Sequence, residues 1–149
     1  MVHNELVEKA SGEIDVPHMR ASIKQLETAM KSCPDDVRID ELDVMHHYTD
    51  GVYCRTVLMN AGELIVGKIH KKEHIVVVSA GRASVISEEF GSKEIVAPAV
   101  FKSPPGVKRV LLIHEDMIWT TIHKNASNTE DLGILEEELI AKDYDEVKV

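Results

Sequence analysis

Apolar positions along the chain follow two different periods. Between Pro17 and Cys33, Met19, Ile23, Leu26 and Met30 recur at helical spacing, which predicts one amphipathic helix. Pro17 suits its first turn, and Cys33-Pro34 sets its end, because proline disfavours helix at the residue before it. From Leu42 the period shortens: Leu42, Val44, His46 and Tyr48 alternate with polar neighbours. Further short β-forming runs follow at 52–59, 64–70, 74–79, 83–87, 94–97, 108–114 and 117–123. Turn residues separate them at Asp50-Gly51, Asn60-Ala61-Gly62, Ala80-Gly81-Arg82, Phe90-Gly91-Ser92 and Pro104-Pro105-Gly106. About eight short strands with no helix between them predict a mainly β chain, an antiparallel barrel or sandwich. The same pattern excludes a doubly wound parallel sheet.

After Asn125 the helical period returns. Asn128 or Thr129 is the expected cap, Glu130 and Asp131 fall in the first turn, and Leu132, Leu135 and Leu139 share one face. The expected organisation is a single domain: 1–41 as tail and amphipathic helix, 42–124 as barrel, 125–149 as helix and acidic tail. Residues before Asp15 and beyond Lys142 lack periodicity and are expected to be loosely held.

Composition narrows the function classes. The 149 residues carry a formal charge of −9, which argues against nucleic acid or an anionic membrane as partner. Basic residues nevertheless crowd at Lys68 to Lys72 and Lys108-Arg109, so a local cationic site fits inside an acidic protein. Aromatic content of 4% leaves the core to Val, Ile and Leu. Cys33 and Cys54 are too few for a disulfide scaffold or zinc knuckle and read as reduced thiols. No apolar run reaches membrane-spanning length and no secretory pattern opens the chain, so a cytoplasmic location is expected.

The densest candidate chemistry lies between Gly62 and Gly81, which reads Gly62-x5-Lys68-x-His70-x3-His74-x6-Gly81. A second segment reads Pro104-Pro105-Gly106-x2-Arg109-x3-Ile113. Together they resemble the two motifs of the cupin family, G-x5-H-x-H-x3,4-E-x6-G and G-x5-P-x-G-x2-H-x3-N. Gly62, His70 and Gly81 match; Lys68 stands for the first histidine, His74 for the glutamate, Arg109 for the third histidine, Ile113 for the asparagine and Pro98 for the leading glycine. The chain also resembles short cupin-like proteins common in phage genomes, through turns like Asp50-Gly51-Val52-Tyr53 and Pro105-Gly106-Val107-Lys108-Arg109. The resemblance implies a double-stranded β-helix (jelly-roll) barrel, a homodimer, and in many members a divalent transition metal.

The substitutions bear on that metal. Arg109 cannot lose its proton and so cannot be a ligand. His70 and His74 remain as metal candidates, needing His46, His114, His123 or water to complete a site. The other chemistry is anion binding. Lys68, His70, His74 and Arg109 facing one chamber, with Tyr53 and Arg55 on a neighbouring face, would hold a small phosphate-, nucleotide- or carboxylate-bearing ligand if no carboxylate neutralised the cations. If Lys68 and Arg109 instead pair with Glu63, Glu73 or Glu115, the cations are structural. In an enzyme of the isomerase, epimerase or lyase kind, His70 or His74 would transfer the proton. A metal-dependent cupin enzyme such as a dioxygenase, and a non-catalytic phage-type accessory or ligand-sequestering protein, are the alternatives. His123 shares a face with Trp119 and Thr121 and reads as a pocket or an interface residue. His70-Lys71-Lys72-Glu73-His74 also spells H-x-x-E-H, but that zinc-peptidase signature needs a helix, and the flanking β-formers disfavour one.

Overall fold

A computed structural model describes residues 14–33 and 42–147; the segments before residue 14, from 34 to 41 and after 147 lie outside the described residues, including part of the predicted N-terminal tail. Helix α1 (Val16–Lys31) begins at Asp15, whose carboxylate accepts from the His18 amide at 3.0 Å, with Pro17 in the first turn. Of its predicted apolar stripe Ile23 is fully buried, and Met19, Leu26 and Met30 are half-buried. The helix is held by charge as well: Arg20 meets Glu88, Lys24 meets Asp143 at 2.6 Å, and Glu27 accepts from Lys108.

Nine strands follow among the described residues: β1 (Asp43–Thr49), β2 (Val52–Met59), β3 (Leu64–Val66), β4 (Ile69–His70), β5 (His74–Ser87), β6 (Gly91–Val96), β7 (Ala99–Ser103), β8 (Arg109–Lys124) and, after helix α2 (Leu132–Leu139), β9 (Ile140–Ala141). All pairings are antiparallel. Strands β5 and β8 run through both walls of the barrel. Their first and last halves respectively join β7, β2 and β1, and their other halves join β6 and β3. The core between the walls includes Val57, Val76, Val78, Val85, Ile113, Met117 and Trp119.

Four expectations change, the first at 64–70, which divides into β3 and β4 on separate sheets. The runs at 74–79 and 83–87 are one strand, as are those at 108–114 and 117–123. What the sequence presented as a turn at Gly81 is a bend inside β5, where the β5–β8 register shifts. Gly81 has φ +94°, and a Cβ there would sit 2.5 Å from the Asp116 carbonyl oxygen. Strand β7 was missed: the run from Ala99 to Ser103 is short and follows a cis Ala97–Pro98 bond, so proline masked its start. Finally, α2 is capped by Asp131, which accepts from the Gly133 and Ile134 amides, and not by Asn128 or Thr129. Thr129 instead exchanges hydrogen bonds with the Asn125 side chain.

The C-terminal segment is more ordered than its composition suggests. Strand β9 pairs with β4, Lys71 donates its amide to the Leu139 carbonyl at 2.8 Å, and Leu135 and Leu139 pack on Tyr53. Beyond Lys142, a short 3-10 turn (Tyr144–Glu146) stacks the Tyr144 ring 4.3 Å from the Arg20 guanidinium. No described helix is long and apolar enough to cross a membrane. Cys33 and Cys54 are free thiols.

Candidate functional site

Period-two alternation points every second side chain of β1, β2 and the last half of β8 into the barrel, and the register lines them up as rungs. Tyr48, Tyr53 and His123 form one rung; with Ile75 opposite Ile122, His74 comes next to His123. His46, Arg55 and Thr121 form the second, and Val44, Val57 and Trp119 the third. Met59 and Met117 follow. The side chains of these rungs other than Tyr48 and Met117, with His70 and residues from β3, β8 and α2, line a cavity of about 380 Å³.

The first rung is a cluster of imidazoles. Ring centres of His70 and His74 lie 4.3 Å apart, His74 and His123 4.6 Å, and His70 and His123 5.1 Å. Tyr53 stacks on His123 at 5.8 Å, and its hydroxyl hydrogen-bonds His46 Nδ1 at 2.7 Å. Burial pushes His70 down to about 2, with the neighbouring imidazoles and Arg109 and Arg55 adding to the effect. Burial likewise takes His123 down to about 3 and lowers His74. The three rings are therefore neutral at pH 7.

The cations are arranged differently from expectation. Lys68 borders the cavity, but its ammonium is exposed and pairs with Glu136 of α2 at 2.7 Å. Arg109 lines the cavity at 7% exposure and gives one nitrogen to Glu89 at 2.6 Å and another to Ser103 at 2.9 Å. Both predicted cations thus have carboxylate partners, and neither partner is Glu63, Glu73 or Glu115. The remaining guanidinium is Arg55. It is half-buried, lines the cavity, and has no hydrogen-bond or ion-pair partner among the described residues. Burial lowers its pKa, opposed by the charges of Tyr53 and Glu136. One further donor is free: Arg109 Nε is buried without a partner.

Of the predicted site residues, Tyr53, Arg55, Lys68, His70, His74 and Arg109 all border this cavity. His123 joins them, while His114 turns to the other face and hydrogen-bonds Ser84 at 2.6 Å. Glu89 and the cavity face of α2 were not anticipated. The only sequence signal for Glu89 was a charged pair, Glu88-Glu89, ahead of an apolar turn. As a metal centre the donor set is half suited. Neutral imidazole is a good transition-metal ligand. Yet the rings are stacked or tilted on one another, His123 Nε2 is hydrogen-bonded to Thr121 Oγ1 at 2.8 Å, and no three His, Cys, Asp or Glu side chains among the described residues converge as a cation site.

No protein-family model and no curated protein matches the sequence. Solved structures do resemble the fold. The salicylate 1,2-dioxygenase of Pseudoaminobacter salicylatoxidans superposes with a TM-score of 0.52 at 11% identity, over 83% of this chain and 33% of that one. The plu4264 protein of Photorhabdus luminescens gives 0.50 at 15% identity, over 71% and 93%. An RmlC-like cupin with a double-stranded β-helix from Methanocaldococcus jannaschii gives 0.47 at 12%, over 62% and 86%. At such identities the likeness is one of architecture alone, and the architecture of this chain is the cupin double-stranded β-helix.

Proposed function

We propose that the barrel binds a small anionic molecule, anchored by Arg55 and bordered by His70, His74 and His123. The observation that carries the reading is the half-buried Arg55 guanidinium, which lines the cavity with no hydrogen-bond or ion-pair partner among the described residues, Glu136 acting on it only through longer-range charge. Desolvated guanidinium binds carboxylate or phosphate oxygens in a planar fork. The buried Arg109 Nε–H adds a donor, and neutral imidazoles supply donors and acceptors on the same side. In a catalytic version His70 or His74 moves a proton. Their lowered pKa values make them poor proton carriers until a bound anion offsets the burial by its charge.

Thermal unfolding with a panel of carboxylates and phosphates tests the reading. A ligand at a hundred times its Kd adds about 2.7 kcal/mol, or roughly 5–10 °C in Tm for a chain of this size. Arg55→Ala is expected to abolish the shift and Arg55→Lys to reduce it. An Arg55→Ala protein that keeps the full shift sinks the proposal.

A divalent metal held by His70 and His74 is the second reading, supported by two neutral imidazoles 4.3 Å apart, with water or ligand atoms needed to complete the coordination. Stoichiometric iron, manganese, nickel or zinc in the purified protein, lost on His74→Ala substitution, would put it first.

A further inference from the structure

The rungs that bring Arg55 to the cavity also grade its polarity. From Tyr53 and His123, through Arg55 and Thr121, the wall passes to Val57 and Trp119 and then to Met59. Successive rungs are two residues apart, about 6.6 Å, so this apolar stretch extends about 13 Å from Arg55 to Met59. On β1 the same change runs from His46 to Val44. Ile65 and Leu111, paired on the facing wall, close the apolar end. Beyond the Arg55 rung no charged or amide side chain of these strands points into the cavity.

Charge is rationed as tightly as polarity. Lys68 is offset by Glu136 and Arg109 by Glu89, so among the described residues Arg55 leaves the lining with a single unmatched positive charge. A phosphate dianion or a nucleotide would bring more negative charge than the lining offsets, and a sugar ring would bury hydroxyls against Val57, Trp119 and Met59 without partners. Building on the Arg55 reading, we infer that the ligand is a monocarboxylate with an apolar body, an alkyl or aryl acid whose carboxylate meets Arg55 and whose body lies along Val44, Val57 and Trp119.

Titration calorimetry with acetate, butyrate, hexanoate, benzoate, lactate, inorganic phosphate and hexanamide tests this. From butyrate to hexanoate the affinity is expected to rise about fourfold per methylene buried. Hexanoate is expected to bind at least about tenfold tighter than lactate, phosphate or hexanamide. Val57→Thr, which keeps the shape and adds a hydroxyl, is expected to weaken hexanoate about tenfold and leave acetate unchanged. Val44→Thr, at a half-buried edge position, repeats the test should Val57→Thr fail to fold. If lactate or phosphate binds as tightly as hexanoate, the apolar-acid inference is overturned while anchoring by Arg55 stands. If hexanamide matches hexanoate, or nothing binds, the carboxylate and Arg55 fall together.

Discussion

Arg109 donates to Glu89 at 2.6 Å across the margin of the cavity, and that pair decides which cation the chamber has to offer. Without it two guanidinium groups would face a ligand. With it, Arg109 is a paired charge, and Arg55 is the lining guanidinium with no ion-pair partner among the described residues.

Removing the carboxylate from that pair strands a buried charge. Glu89→Ala is expected to cost about 3 kcal/mol in urea unfolding, since the 7%-exposed Arg109 would keep Ser103 as a hydrogen-bond partner and the Phe101 ring, but no carboxylate among the described residues. The double variant Glu89→Ala/Arg109→Met should recover most of the loss, because an uncharged chain of similar length fills the space. A single substitution costing under about 1 kcal/mol would mean the pair behaves as a surface bridge.

The imidazole cluster makes stability depend on pH. Burial holds His70 at about 2 and His123 at about 3, whereas unfolded histidines titrate near 6.5. As pH falls below about 6.5 the unfolded chain takes up protons that the folded chain refuses, so stability is present above that value and declines toward the folded ones. Each of the two contributes a slope of about 1.4 kcal/mol per pH unit in that window. Between pH 6.5 and 5, in EDTA-treated protein, Tm should fall, and His123→Gln should flatten the fall. An identical slope in the variant would remove His123 from the account.

Two glycines of the first motif are expected to respond unequally to alanine. Gly62 has φ +90° with nothing within 4 Å of a built Cβ, so Gly62→Ala carries only backbone strain, about 1–2 kcal/mol. At Gly81 the same strain comes with the Asp116 and Glu115 carbonyl oxygens at 2.5 and 2.8 Å and the Met117 Cα at 2.6 Å. Those are rigid backbone atoms of β8, so Gly81→Ala should cost about 4 kcal/mol or prevent folding. Equal Tm losses for the two variants would show that the β5–β8 crossing has room to give.

Much of the barrel was legible because alternation is local. Leu42 to Tyr48, Val52 to Met59 and the faces of His74 and His123 follow from a period of two, which needs no knowledge of neighbours. The two long strands were not legible, because Gly81 and the Glu115-Asp116 pair look like turns until β5 and β8 are laid together. The cap of α2 differs from expectation because Asn128, Thr129 and Asp131 all suit such a position, and only tertiary bonds remove two of them: Thr129 bonds the Asn125 side chain and Asn128 Oδ1 accepts from the Gly51 amide. The ordering of Tyr144 depends on Arg20, far earlier in the chain.

Local order in the sequence determined the element types, the bends at Gly62 and Gly106, and the set of nitrogen-bearing side chains that line one chamber. Only the tertiary structure decided which of them is available. Lys68 finds Glu136 at a separation of 68 residues, and Arg109 finds Glu89 at 20. Strand period specifies a face, whereas neutralisation of a charge depends on which carboxylate the fold brings within a few ångströms. For that reason the cavity guanidinium left without an ion-pair partner among the described residues is Arg55.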